Sequence, residues 1–187
     1  ITSAVRTPIG TFRGSLKEMQ ASELGALVVK AAIEKSNLKP DDVDELIMGQ
    51  VLTAAAGQNP ARQAAIQAGI TVEKTAYIIN QVCGSGLRAV AAGYQSIALN
   101  DSKIIIAGGQ ESMTNSPHAI DYRNNNKLDE TKLIDTMIKD GLWDAFNGYH
   151  MGITAENVAS KWKITREEQD NFSLSSQVKA DEAKKEG

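Results

Sequence analysis

The 187 residues hold one cysteine and two histidines. A single thiol cannot close an intramolecular disulfide, and so few sulfur and imidazole donors do not supply a zinc site of the usual ligand spacing, so no metal is expected. No apolar run approaches the roughly 20 residues that a membrane-spanning helix needs. The first residues also lack the basic, then apolar, then small-residue order of a secretory signal. The Lys and Arg residues are scattered and the formal net charge is -3, so no basic stripe exists to neutralise a nucleic-acid backbone. These absences lead to the expectation of a soluble protein of a reducing, cytoplasmic compartment, with neither nucleic acid nor membrane as a partner.

What is present is ordinary globular composition, 42% apolar and 23% charged, with enough chain to bury a core. After the breaker-rich Pro8-Ile9-Gly10, the residues Leu24, Leu27, Val28 and Ala31 recur at helix spacing. Ser22 is the expected N-cap, and Asn37 and Pro40 close the segment. Leu46 to Val51 is a short apolar run, and Pro60 to Ala68 a small-residue helix with proline in its first turn. Tyr77-Ile78-Ile79 then reads as a strand, followed by a Gly-rich turn and a helix whose expected apolar face is Leu87, Val90, Ala91, Tyr94, Ile97 and Ala98. Lys103 to Gly109 is an unalternating apolar run, as in a strand covered on both faces. This alternation predicts an α/β fold with a mostly parallel sheet between helix layers.

From about Ser112 the character changes. Pro117, Asn124-Asn125-Asn126 and short helical patterns around Thr131 to Ile138 suggest an excursion from the sheet. Thr154 is expected to cap a helix with a buried stripe of Ala155, Val158, Ala159 and Trp162, and Trp143 to join a local core. Thr165 with Glu168 forms a capping-box pattern. The chain opens on Ile1 to Val5, which reads as the tail of a strand, and stops inside a polar helical segment. It is therefore expected to be part of a longer protein.

The densest information lies in Asn80-Gln81-Val82-Cys83-Gly84-Ser85-Gly86-Leu87-Arg88-Ala89. It places a thiol between a strand and the first turn of a helix, where unpaired N–H groups and the helix dipole favour a thiolate. Gly84 and Gly86 let a substrate carbonyl approach the backbone, and the Cys83 N–H is an oxyanion donor in waiting. Two other readings stay open on position alone. Cysteine is among the most buried residue types, so Cys83 could be inert packing. The letters from Gly84 to Ala89 also fit G-x-G-x-x-A, a dinucleotide fingerprint, with Glu111 as the ribose ligand. Against the fingerprint, it follows the third strand-like segment rather than the first, and Glu111 lies beyond the roughly 20-residue separation.

The segment around Cys83 resembles the active-site segment of thiolases, in which this cysteine is acylated. Four further segments resemble thiolase segments in the same order: Ala4 to Gly10, Gly57 to Gln63, Gly108 to Thr114 and Tyr149 to Asn157. The resemblance covers nearly the whole chain. It implies a thiolase-like layered fold in which this chain is the first of two related halves, with residues 1–112 an α/β domain lacking its last strand and residues 113–187 the start of an inserted, mainly helical loop domain. It also implies condensation of two acetyl-CoA molecules to acetoacetyl-CoA and CoA, reversibly, through an acetyl thioester on Cys83. No cofactor is implied beyond coenzyme A as part of the substrate.

The resemblance assigns His150 and Met151 to the pocket for pantetheine and the acyl group, a pairing found in short-chain members, and Leu142 to the pantetheine contact. Without that context, His150 beside a helix start reads as a capping residue and Leu142 as packing. The run His118 to Asp135 matches the loop through which tetrameric members associate, so a homodimer or homotetramer is expected. The family's activating histidine and second cysteine belong to the other half, and neither His118 nor His150 stands in the Gly-His-Pro context. This chain alone is therefore expected to lack turnover.

Overall fold

In the computed structural model, residues 1–123 and 133–186 are described. Packing divides the chain into two compact units, Ile1–Gly141 and Leu142–Gly187. The division falls later than the change of sequence character at Ser112, because the residues just after it are tied back to the N-terminal loop. Asn115 Nδ2 donates to the carbonyls of Lys17 and Met19 at 3.1 and 2.8 Å, and Thr114 Oγ1 accepts the Arg13 N–H at 3.0 Å.

The first unit begins without a strand: Ile1 to Gly10 adopts no regular structure. Instead of a ladder partner it finds the end of the following helix, where Ser3 Oγ donates to the Ala32 carbonyl at 3.1 Å. That helix, α1, spans Ala21–Lys35. Its start is set by Glu23, whose carboxylate accepts the Gln20 N–H at 2.7 Å, and Ser22 lies inside the helix rather than capping it. Asn37, at φ 53°, then takes the left-handed conformation that ends the segment.

Three parallel strands follow: β1 (Glu45–Gly49), β2 (Thr75–Ile79) and β3 (Ile105–Gly109). The order is β2-β1-β3, with Glu45 opposite both Thr75 and Ile105. The connections carry α2 (Pro60–Gln67) and α3 (Ser85–Ala98). Alternation along β1 sorts the faces. Leu46 and Met48 join Val29, Ile33, Ala61, Ala64 and Ala65 in one core with α1 and α2. Gly49 and the paired β3 residues Ile105 and Ala107 meet α3 on the opposite face. The result is a helix–sheet–helix sandwich, as a crossover from β1 to β2 and a second back past β1 to β3 produce. Leu46, Ile47 and Met48 are essentially fully buried, and each contributes about 2 kcal/mol of transfer free energy.

The apolar periodicity of α3 points to the wrong face. Leu87 and Tyr94 are 78% and 74% exposed, and the buried residues are Ser85, Ala89 and Gly93. Small side chains are what the contact needs: a Cβ on Gly93 would already lie 3.2 Å from Ile105 Cγ2. Close approach to the sheet therefore selects the small stripe, while the large residues remain outside. β3 is also less covered than its apolar run suggests, since Ile105 to Gly108 are half-buried.

Beyond β3, the two-residue strands β4 (His118–Ala119) and β5 (Ile134–Asp135) pair antiparallel, a ribbon the sequence did not suggest. His118 Nε2 lies 3.8 Å from Asp135 Oδ2. Residues 124–132, within the expected association loop, lie outside the described residues.

The second unit contains α4 (Met151–Trp162) and α5 (Arg166–Glu186). The Thr165 and Glu168 pair forms the capping box: the Thr165 N–H donates to Glu168 Oε2 at 2.7 Å, and Thr165 Oγ1 accepts the Glu168 N–H at 3.2 Å. Thr154 is inside α4 instead of capping it, and the stripe of Val158 and Trp162 is exposed, at 42% and 62%. Trp143 is likewise surface-exposed rather than part of a local core. No helix among the described residues is long and apolar enough to cross a membrane.

Candidate active site

The carboxyl ends of β1, β2 and β3 converge on the loops that carry the quoted motifs, which is where open α/β sheets place their sites. Gln110 Nε2 donates to Gln50 Oε1 at 2.8 Å, joining the loops after β3 and β1. The Glu111 carboxylate accepts the N–H groups of Val51 and Leu52 at 2.8 and 3.1 Å. Burial pushes its pKa above the ordinary carboxylate value, against the lowering effect of those two bonds. On the far side of the loop, Asn59 caps α2 at φ 41°, accepting the Arg62 N–H, and the Arg62 guanidinium donates to the carbonyls of Val72 and Lys74. Asn59 and Arg62 thus hold the segment that leads into β2, and Gln110 and Glu111 hold the loop after β1.

That turn holds Cys83. The backbone reverses through Val82 at φ 48°, a left-handed conformation that a β-branched residue rarely adopts. Local hydrogen bonds hold it there. The Val82 N–H donates to Asn80 Oδ1 at 3.0 Å, and the Val82 carbonyl accepts from the Ser85 hydroxyl at 2.6 Å and the Ser85 N–H at 3.1 Å. The Ser85 hydroxyl also accepts the Gln81 N–H at 2.9 Å.

Below the turn, glycines bring backbones into direct contact. A Cβ on Gly49 would lie 2.5 Å from both Gly86 N and Ser85 C, and one on Gly109 3.5 Å from Gly86 Cα. The start of α3 therefore rests on the ends of β1 and β3, and Cys83 projects beyond it with an exposed side chain. The side chain is therefore not the buried packing group that its residue type alone allowed. The dinucleotide reading fares no better: the fingerprint follows the edge strand β2, and Glu111 is engaged with backbone N–H groups in place of a ribose.

In the second unit, a closed loop brings the remaining expected residues together. Leu142 ends a π-helical turn, Met137–Leu142, and the adjacent Trp143 bridges His150 across the loop. Asp144 organises the interval, its N–H donating to the Tyr149 carbonyl at 2.8 Å and its carboxylate accepting from Phe146 and Asn147. The Asn147 side-chain bond, then the Asn147 and Phe146 backbone bonds, hold the Asp144 pKa below its ordinary value. His150 is the N-cap of α4: its Nδ1 accepts the Gly152 N–H at 3.0 Å. Met151 follows as the first residue of α4, 37% exposed. Leu142, His150 and Met151 thus share one loop and helix start, whereas Cys83 belongs to the first unit.

A parallel sheet packed between helices, with an exposed thiol at a strand-to-helix turn over its carboxyl edge, defines the class of the first unit as α/β. Comparison with known proteins narrows that class. The family model described as the N-terminal domain of thiolase matches residues 1–187. An acetyl-CoA acetyltransferase of Paracoccus denitrificans is 58% identical over 187 residues, covering 100% of this chain and 48% of that protein. One from Rhizobium meliloti is 59% identical with the same coverage, and a probable acetyl-CoA acetyltransferase of Escherichia coli is 53% identical over 181 residues, 96% of this chain and 46% of that protein. The chain belongs to the thiolase family, a family of acyltransferases, and aligns with its N-terminal domain. It spans about half the length of the curated relatives it matches.

Proposed function

We propose that the intact protein is an acetyl-CoA C-acetyltransferase that carries the acetyl group on Cys83. The observation that supports this most is the exposed thiol on a strained strand-to-helix turn whose surroundings are family motifs. In the first step the Cys83 sulfur, as thiolate, adds to the thioester carbonyl of acetyl-CoA. The bond from carbonyl carbon to CoA sulfur breaks, and CoA leaves as a thiolate that takes up a proton. In the second step the methyl carbon of another acetyl-CoA, having lost a proton, attacks the acetyl carbonyl. The bond to Cys83 breaks, releasing acetoacetyl-CoA and returning the cysteine sulfur. The same steps in reverse give thiolysis.

The N-terminus of α3 suits the developing negative charge, because its first-turn N–H groups and dipole point toward the turn. Leu142, His150 and Met151 are proposed to contact pantetheine and the short acyl chain, with His150 oriented by its Nδ1 bond to Gly152. A homodimer or homotetramer is the proposed assembly. The activating histidine and second cysteine are proposed to come from the remainder of the protein. Steady-state thiolysis of acetoacetyl-CoA by the intact protein tests the reading. Cys83→Ala is expected to lower kcat by about 10³-fold or more, as removal of a covalent nucleophile does. Turnover within about tenfold of wild type in that variant contradicts it.

A further inference from the structure

Val82 is the strained residue of the turn, and nothing about its own side chain holds it there. Its φ is 48° while its side chain is 51% exposed, so burial does not stabilise the conformation. The retaining forces are the hydrogen bonds around it, and most of them meet at Ser85. That residue is buried at 4% exposure, yet its hydroxyl is satisfied on both sides: it accepts from Gln81 N and donates to Val82 O. The hydroxyl therefore bridges the residue before the strained one and the strained one itself. The Ser85 main chain is in turn fixed from below by the end of β1 at Gly49. The hydroxyl thus connects a rigid floor to the peptide that immediately precedes Cys83.

We infer that Ser85 is a positioning residue for Cys83: its hydroxyl locks Val82 in the left-handed conformation and thereby sets the direction in which the thiol points. The inference rests on the reading of Cys83 as the acyl acceptor. Without the hydroxyl, Val82 keeps only the Asn80 Oδ1 and Ser85 N–H bonds, so its strained conformation is held more weakly, and relaxation to negative φ rotates the 82–83 peptide and carries the sulfur away from its aim. Glycine at position 82 has no such preference, because it adopts positive φ without steric cost. Replacing Val82 by glycine should therefore make the serine lock less necessary.

The test uses the intact protein and four variants: Ser85→Ala, Ser85→Cys, Val82→Gly and the double variant Val82→Gly/Ser85→Ala. Acetylation of Cys83 by acetyl-CoA is followed by rapid quench and mass spectrometry, beside kcat and KM for acetoacetyl-CoA thiolysis. In Ser85→Ala the acetylation rate and kcat are expected to fall by about tenfold or more while KM changes by less than about twofold. Ser85→Cys, which keeps the size but weakens the hydrogen bonds, should fall between wild type and alanine. The double variant should recover most of the loss, although it carries one more substitution. If Ser85→Ala does not fold, Ser85→Cys with and without Val82→Gly gives the same comparison. Wild-type rates in Ser85→Ala overturn the inference, and so does a loss that Val82→Gly fails to repair. Failure of the underlying reading is distinct: wild type would then show no acetyl group on Cys83.

Discussion

Adding one methyl group at Gly49 probes the seat of the turn that carries Cys83 without touching the turn itself. The new Cβ would lie 2.5 Å from Gly86 N, 2.5 Å from Ser85 C and 2.8 Å from Ser85 Cβ. Favourable carbon contacts lie near 3.5–4.0 Å, so relief requires a shift of about 1 Å. Two of those three atoms are backbone, so no side-chain rotation provides it. Overpacking of this kind costs about 1–3 kcal/mol, and each kcal/mol lowers Tm by about 2–4 °C in a chain of 150–250 residues. The displaced element is the start of α3, so Cys83 moves with it, and a misplacement of about 1 Å reduces acylation by as much as 10²-fold. The assay pairs thermal unfolding with the rate of Cys83 acetylation in Gly49→Ala. Gly108→Ala, on the same sheet, is the control, since its new Cβ would meet nothing closer than Met48 Sδ at 4.0 Å. Equal Tm and equal acetylation rate in wild type and Gly49→Ala would refute the packing argument.

Asp44 accepts the Ile104 and Lys103 N–H groups at 3.0 and 2.8 Å, and these bonds, the Ile104 one first and both ahead of Lys74, hold its pKa below the ordinary 3.8. A lowered folded pKa contributes stability that is present above 3.8 and lost as pH falls through the folded value, so denaturant titrations at several pH values should show Asp44→Asn losing less stability than wild type across that acid window. Glu111 has the opposite sign: its raised pKa contributes below the ordinary 4.5 and that contribution is lost as pH rises through the folded value, while Glu111→Gln, leaving one backbone N–H without its acceptor, should cost about 1–3 kcal/mol in urea unfolding. His150→Ala should weaken the start of α4 by about 1 kcal/mol and raise KM, and His150→Asn, which keeps a capping group, should raise KM with less loss of stability. The His150 and Met151 pairing predicts faster thiolysis of C4 than of C10 substrates by the intact protein, and faster C10 turnover would contradict it.

Legibility in the sequence followed what side chains can signal. β1 and β2 were readable because burying Leu46, Met48 and Ile78 calls for strand spacing, whereas α1 was readable as a helix but not by its face: the expected Leu24, Val28 and Ala31 are only half-buried and Leu27 is exposed, while Val29 and Ile33 enter the core. The inner face of α3 was not, because contact with the sheet is made by Ser85, Ala89 and Gly93, and hydrophobic periodicity weights Leu87 and Tyr94 instead. Ile1 to Val5 has strand-like letters, yet its polar side chains bind the end of α1 and its backbone joins no ladder among the described residues. At the site, position alone left Cys83 open between nucleophile and packing and the resemblance singled it out, while His150 read as a cap by position and as a pocket residue by resemblance; the structure realises the cap. The positive φ of Val82 was hidden, because valine carries no sequence signal for a conformation that hydrogen bonds from Asn80 and Ser85 impose. Glu111 was noticed for the wrong role, since distance along the chain gave no indication that it would reach back to Val51 and Leu52.

The most direct measurement is to mix the intact protein with acetyl-CoA, quench in acid, digest, and locate the added acetyl group by mass spectrometry. An acetyl group on Cys83, removed by subsequent addition of CoA, is the predicted result. Acetoacetyl-CoA turnover with no acetyl group at Cys83, or with the group on another residue, would contradict the account.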